Sequence, residues 1–473
     1  MKKNKKKQTL KYIFSDFIAS VFAWTIFYIF RKKYIEPQKF GYDIDVQFDN
    51  KYLIAVIVIP IFWLLIYYLS GYYKDIYRKS RLKELWNTFS LSFSGVIVIF
   101  FMFILDDYVL SYKNYYFSFL ALFALQFTLT YIPRLIITTR TIGKLHNKKI
   151  GFNTIIVGSN EKAIQLFNNL TKQPKSTGNI FIGFVNVVEQ DKYLLEKTLP
   201  YLGNIHNIKE IIENNNVEEV IIAIESSEHD KINYILTNVV CRNVVIKVIP
   251  TLYDILTGSV HMTNIYSSPL IQITRDAMPE WQINLKRIID VLFSIIAIII
   301  LIPLYIFLMM GVRLSSKGPI FYSHQRIGRF GKPFTIYKFR SMIPNAETNG
   351  PALSSKNDPR ITKFGLFMRK TRLDELPQFY NVIIGDMSLV GPRPERQFYI
   401  DKIMERAPYY SHLQKVRPGI TSWGQVKFGY AENVEEMIER LQYDLIYIEN
   451  MSLYVDFKIM IYTIKIIFQG SGK

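Results

Sequence analysis

The chain has 473 residues, enough for two or three folded units, and a formal net charge of +19 with 49% hydrophobic residues. That charge asks for nucleic acid, anionic lipid headgroups or phosphorylated substrates; with no helix-turn-helix, zinc-finger or RNP-like signature, and with the basic residues flanking apolar runs, nucleic acid is set aside. A single cysteine, Cys241, precludes an internal disulfide framework, and the six histidines form no Cys/His cluster of zinc spacing, so any metal is expected to be a hard cation on carboxylates.

The opening "MKKNKKKQTLK" is a basic cap on an apolar run over 12–30. The run is long and aromatic and lacks a small-residue cleavage site, so it is read as a first membrane helix rather than a signal peptide. Further apolar runs lie near 52–70, 90–110 and 115–139, each long enough to cross a hydrocarbon core of roughly 30 Å. Lys2, Lys3, Lys5, Lys6 and Lys7, then Lys74, Arg78, Lys79, Arg81 and Lys83, then Arg140, Lys144, Lys148 and Lys149 mark alternate loops as cytoplasmic. Lys113 stands alone between the third and fourth runs, whereas the first external loop is less tidy. Four spans with the N-terminus inside put residue 150 in the cytoplasm.

Residues 150–270 alternate β-rich runs ("NTIIVGS", "FIGFVNV", "VEEVIIAIE", "NVVIKVIP") with helical ones ("EKAIQLFNNL", "HDKINYILTNVV"). That is a βα pattern with a parallel sheet, Rossmann-like in outline. Its first turn has Gly158 but places Asn160 where the dinucleotide fingerprint needs a second glycine, which favours a structural or oligomerising role. The same defect sets aside a nucleotide-sugar dehydratase or epimerase, since Tyr193/Lys197, the Tyr-x-x-x-Lys pair of this domain, falls too soon after Gly158.

A further apolar run, 291–312, is also long enough to span. Basic residues flank it on both sides, and Pro303 removes a backbone donor near its middle. A helix that enters the bilayer, breaks at Pro303 and leaves on the same face satisfies both facts; a plain crossing is the other reading. From 313 to 372 there are 13 Lys/Arg against two acids, Glu347 and Asp358. Such density suits lipid headgroups or a substrate with several phosphates. Then "TRLDELPQ" sets Asp374 beside Glu375. A surface pair is the bland reading; a carboxylate nucleophile beside a magnesium ligand is the functional one. In "GDMSLVGPRPE", Pro392 and Pro394 hold Arg393 as a rigid phosphate clamp. "RPGITSWGQV" adds Arg417 and Trp423, the latter a stacking platform or a core residue. The last two helical stretches, within 434–470, suit packing on the domain or an interfacial position better than another span.

The order of "KRIID", "GPIFYSHQRIGRFGKPFTIYKFRSM", "TRLDELPQ", "MSLVGPRPE" and "RPGITSWGQV" resembles the large form of the monotopic phosphoglycosyl transferases, the polyprenyl-phosphate hexose-1-phosphate transferases. The resemblance covers essentially the whole chain. It implies a four-helix transmembrane domain (1–145), a Rossmann-like α/β domain with a degenerate nucleotide site (150–270), and a mixed α/β catalytic domain with a re-entrant helix broken at Pro303 (280–473). Ile302 stands where relatives often have Ser. The implied reaction moves a hexose-1-phosphate from a UDP-sugar, glucose first and galactose next, to undecaprenyl phosphate with release of UMP, initiating exopolysaccharide, capsule or O-antigen synthesis. In it Asp374 is the nucleophile, Glu375 binds Mg²⁺ (or Mn²⁺ in its place), and Arg369 and Arg393 bind phosphate. Lys338 and Arg340, in "KFRSM", are assigned to the same substrate. The implied location is the bacterial inner membrane, multi-pass, with the middle and catalytic domains on the cytoplasmic face and membrane lipid as a further partner. A homodimer is left open. The competing reading is a catalytically inactive scaffold of polysaccharide assembly.

Overall fold

The computed structural model describes residues 2–42, 45–104, 112–173, 175–187, 192–224, 235, 239, 244–250, 270–273, 278–344, 358–429 and 431–468. They fall into two compact units, Met1–Phe152 with Gln173–Gly178, and Asn153–Lys172 with Asn179–Lys473.

The first unit contains four helices long and apolar enough to cross a membrane: α1 (Lys2–Phe30), α2 (Asn50–Leu69), α3 (Arg81–Ile99) and α4 (Tyr112–His146). α1 runs on through a wider turn at Arg31–Ile35 into a short Glu36–Phe40 segment. α3 begins nine residues before the apolar run that announces it, because Ser80 caps it by accepting from the Lys83 amide at 3.2 Å. Apolar side chains such as Phe14, Phe22, Ile54 and Leu120 face outward.

The inside of this bundle is partly polar. On α4, Asn114, Ser118, Gln126, Thr130, Arg134 and Thr138 are buried on one face, near a four-residue spacing. Arg134 forms a bidentate pair with Asp16 of α1, Nε to Oδ1 and Nη2 to Oδ2 both at 2.8 Å. Tyr73 donates to Asp16 at 2.7 Å, and Arg134 donates to Thr88 at 3.1 Å. The pair is fully buried. Without water such charges must satisfy one another, as Asp16 and Arg134 do.

In the second unit a six-stranded sheet takes the order β3-β2-β1-β4-β5-β6. Its strands are β1 (Phe152–Val157), β2 (Asn179–Asn186), β3 (Tyr201–Asn204), β4 (Glu219–Ile222), β5 (Val245–Val248) and β6 (Ile271–Ile273). The pairs β1/β4, β2/β3 and β4/β5 are parallel and β5/β6 antiparallel. Two helices pack with it, α5 (Glu161–Lys172) and α6 (Ile208–Asn214). The doubly wound order matches the βα reading; β3, β6 and α6 are additional, and the helix read over 229–240 lies outside the described residues except at Ile235 and Val239. Gly158 has φ +112°, and a Cβ there would strike the Ala223 carbonyl oxygen. Asn160, in the place of the fingerprint's second glycine, caps α5 by accepting from the Ala163 amide at 2.9 Å.

The rest of the unit starts with α7 (Glu280–Ile300) and α8 (Ile302–Ser315), whose axes differ by 65° across Leu301. Pro303 lies in the first turn of α8, where its missing N–H is harmless; extended back into α7 its ring would meet the Ile299 carbonyl. A hairpin follows, β7 (Phe321–Ile327) with β8 (Pro333–Phe339). Next come α9 (Lys363–Lys370), α10 (Gln378–Ile384), β9 (Ser388–Val390), α11 (Gln397–Arg406), β10 (Gly419–Thr421), α12 (Trp423–Lys427), α13 (Val434–Glu449) and α14 (Leu453–Phe468). β9 and β10 pair in parallel. Leu389, Tyr399, Ile400, Ile403, Leu441, Tyr447 and Ile459 anchor their common core. α14 packs one face there, with Ile459 fully buried, and leaves Tyr454, Phe457, Ile461 and Ile464 exposed. Trp423 packs against this core and Tyr462, which makes it a packing residue.

Candidate active site

The acid pair is placed by a reversal of the chain. α9 begins at a Thr362 cap that accepts from the Gly365 amide at 2.9 Å, and it ends at Thr371. Arg372 then takes φ +56°, a left-handed conformation that costs a non-glycine residue roughly 1 kcal/mol. This turns the chain into a single tight turn, Leu373–Glu375, which brings both carboxylates inward. Asp374 is 7% and Glu375 4% exposed, so the pair is no surface feature.

Three elements converge on it. From β8, Lys338 donates to Glu375 Oε1 at 2.7 Å. From the Pro392–Pro394 segment, Arg393 Nη2 reaches the same oxygen at 3.4 Å. From α9, Arg369 acts on Asp374 and donates through Nε to Ser341 Oγ at 2.9 Å. Arg340 is placed elsewhere: its Nη2 donates to the carbonyl (2.6 Å) and hydroxyl (3.0 Å) of Ser316, beyond the end of α8. Among the described residues none donates a hydrogen bond to the Asp374 carboxylate.

The two acids are therefore unlike. Burial pushes the Asp374 carboxyl up to about 6, against the pull of Lys338, with Glu375 adding to the rise. Burial acts on Glu375 in the same direction, but Lys338, Arg393 and Arg372 outweigh it and hold this carboxyl well below the usual range. One acid is fixed and anionic. The other is unbonded and poised to titrate near physiological pH.

Several residues to which the motif reading gave no structural role make this geometry rigid. Asn381 on α10 accepts from the Tyr337 amide (3.1 Å) and donates to the Thr335 carbonyl (2.7 Å), tying β8 to the helix that follows the acid pair. Arg287 of α7 donates to the Val382 and Ile383 carbonyls at 2.7 and 3.0 Å, and Arg417 to Gly385 at 2.9 Å. Both guanidinium groups cap the C-terminal end of α10. Asp290 accepts from Ser388 Oγ at 2.6 Å, and Lys286 pairs with Asp456 at 2.6 Å. "KRIID" is thus the seam between the apolar helix and the catalytic core. Glu395, two residues after Arg393, accepts from Arg326 (2.9 Å) and Arg440 (2.6 Å), which fixes the segment carrying Arg393. Asn381 and Glu395 both lie inside or beside quoted motifs, but nothing in the string says what they touch.

Among the described residues no group of three or more His, Cys, Asp or Glu side chains could hold a metal ion by itself. Mg²⁺ is commonly held by one or two carboxylates together with substrate phosphates. Asp374 and Glu375 fit that mode and not a dedicated cage.

The family model described as bacterial sugar transferase matches residues 281–470, and one described as a CoA-binding domain matches 72–250. A UDP-N-acetylgalactosamine-undecaprenyl-phosphate N-acetylgalactosaminephosphotransferase of Aeromonas hydrophila is 38% identical over 46% of this chain and 51% of its own. A UDP-glucose:undecaprenyl-phosphate glucose-1-phosphate transferase of Xanthomonas campestris is 33% identical over 65% of each chain. The matches therefore span about half and just under two thirds of those two relatives. An undecaprenyl-phosphate galactose phosphotransferase of Salmonella typhimurium is 30% identical over 91% of this chain and 89% of its own. With that near full-length similarity, the chain belongs to the bacterial sugar transferase family.

Proposed function

We propose that the protein transfers a hexose-1-phosphate from a UDP-sugar to undecaprenyl phosphate, releasing UMP, in two displacements at Asp374. The observation that carries this reading is the buried acid pair: an unbonded Asp374 beside a fixed Glu375, with Lys338, Arg369 and Arg393 around them. An Asp374 carboxylate oxygen attacks the phosphorus next to the sugar, the bond to the bridging oxygen breaks, and UMP leaves with that electron pair. The lipid phosphate oxygen then attacks the same phosphorus and returns Asp374 to its free carboxylate. Lys338 and Arg393 offset the charge of the phosphates, and Arg369 lowers repulsion between them and the nucleophile. When bound through Glu375 and the substrate phosphates, Mg²⁺ (or Mn²⁺) supplies further neutralisation of the diphosphate.

UDP-sugars are cytoplasmic, so the catalytic part belongs on the cytoplasmic face of the inner membrane. The 65° bend at Leu301 supports a helix that enters and leaves on one face. Glucose is the first choice of sugar and galactose the second. The Aeromonas relative's name adds N-acetylgalactosamine to the panel worth testing. The test is UMP release from UDP-glucose, UDP-galactose and UDP-N-acetylgalactosamine by the full chain in lipid, with Mg²⁺ and undecaprenyl phosphate. Release with one donor, lost in Asp374→Asn, supports the assignment. No release with any donor favours a scaffold.

A further inference from the structure

His324 lies on β7 in register with Ile336, two residues from Tyr322, which faces Lys338 across the hairpin. Alternation puts Tyr322, His324 and Arg326 on the same face as Lys338. The His324 ring lies against Tyr322, centroids 5.1 Å apart. Its Nε2 accepts from Arg326 Nε at 2.8 Å. A neutral imidazole has one donor and one acceptor nitrogen, so this bond assigns the proton to Nδ1. Nδ1 is buried and has no hydrogen-bond partner. An unmet buried donor is costly, and a site that keeps one commonly uses it.

The surroundings say what would meet it. Arg326, Arg396, Lys338 and Arg393 all act on His324, and the carboxylates nearest them, Glu375 and Glu395, are already bonded. Burial first, and then these four cations, push the imidazole down to about 2, so it stays neutral and keeps a single N–H to give. An acceptor drawn to this place is an anionic oxygen.

We propose that His324 Nδ1–H donates to an oxygen of a phosphate seated against Lys338 and Arg393, making His324 a substrate-binding residue. This deepens the functional reading above and rests on it. The phosphate belongs to the nucleotide diphosphate or to the lipid acceptor, and two probes separate these sources.

Binding of UDP and of a short-chain polyprenyl phosphate is measured calorimetrically on the full chain in detergent, for the wild type, His324→Gln and His324→Asn. Gln presents its amide near the Nε2 position and keeps an acceptor for Arg326, but offers nothing at Nδ1. Asn presents its N–H near Nδ1. The expected result is an affinity loss of about tenfold in His324→Gln, recovered to within about twofold in His324→Asn, a factor set by one hydrogen bond to a charged group. Loss for UDP assigns the nucleotide diphosphate, and loss for the polyprenyl phosphate assigns the acceptor. Equal affinities in all three proteins, a loss that Asn does not recover, or absence of binding by the wild type overturns the proposal. Unliganded thermal midpoints within about 2 °C of one another exclude a fold defect. Because binding needs no turnover, a wild type that binds UDP but releases no UMP from UDP-sugars sinks the transferase reading and leaves this one standing.

Discussion

Lys338 and Glu375 meet at 2.7 Å, an ammonium from the hairpin set on a carboxylate from the tight turn, with only a few per cent of the Glu375 side chain exposed. Removing one partner of a buried pair leaves the other uncompensated, which costs more than the pair itself is worth. Lys338→Met is therefore expected to destabilise the catalytic unit by about 3 kcal/mol at pH 8. Because Glu375 has a depressed folded-state pKa, its contribution to stability is present above the ordinary carboxylate range and lost as pH falls. The Lys338→Met defect should shrink toward pH 4. Denaturant titrations at the two pH values check this, and a defect that is the same at both pH values would contradict it.

Asp374 behaves in the opposite sense. Its folded-state pKa is raised from 3.8 to about 6, so stability is intact below the lower value and declines as pH rises through the upper one. At neutral pH the buried charge costs at most about 3 kcal/mol, two pKa units at 1.36 each. Asp374→Asn should abolish UMP release while raising the thermal midpoint in EDTA. A midpoint that falls would show that the carboxylate stabilises the turn.

The same group sets a pH profile. A nucleophilic carboxylate must be ionised, so the rate of the first displacement should rise with pH around a midpoint near 6 and level off above it. Rapid-quench measurement of UMP release without the lipid acceptor isolates that step. A flat profile from pH 5 to 8 would put the nucleophile elsewhere.

Pro303 stands where α7 and α8 part by 65°. Pro303→Leu restores the missing donor in a strongly apolar segment and permits one straight helix. The expected outcome is a shift of some molecules to a crossing topology, read by labelling Lys317→Cys or Lys427→Cys, each with Cys241→Ser, from either side of sealed vesicles. Unchanged labelling would mean that the seam of Lys286, Arg287 and Asp290 holds the bend without the proline.

Arg134→Leu should cost the bundle about 3 kcal/mol by leaving Asp16 buried and unpaired, and Asp16→Asn with Arg134→Leu should regain much of it. Thermal unfolding in detergent of the single and double variants checks the coupling. Additive losses would mean that Tyr73 and Thr88, not each other, satisfy the two charges.

Much of this architecture was legible because it is written in local patterns. Long apolar runs announced the four helices, short β-rich runs between helical ones the sheet, and Pro303 the bend. The acid pair and Arg393 were visible because their chemistry is compressed into short strings. Other features needed distance in the chain. Arg134 and Asp16 are 118 positions apart, and no local pattern relates them. Arg340 sits in the same motif as Lys338, two residues on along the strand direction, yet it turns to Ser316; a strand pattern says which face a side chain is on but not what waits there. Asn381, Glu395 and His324 were silent for the same reason. Their roles lie in bonds to segments that no local pattern relates to them.

The Asp16–Arg134 pair also has a meaning for how the protein is made. α1 leaves the ribosome before α4, carrying an acid into a hydrocarbon environment, and its partner lies in that fourth helix of the bundle. A single such charge near a helix centre opposes insertion by roughly 3 kcal/mol. The first helix thus gains its full reason to stay only once the fourth arrives. Synthesis of the membrane part becomes a closing ring rather than a succession of independent insertions, and truncation anywhere before α4 should leave α1 exposed to quality control.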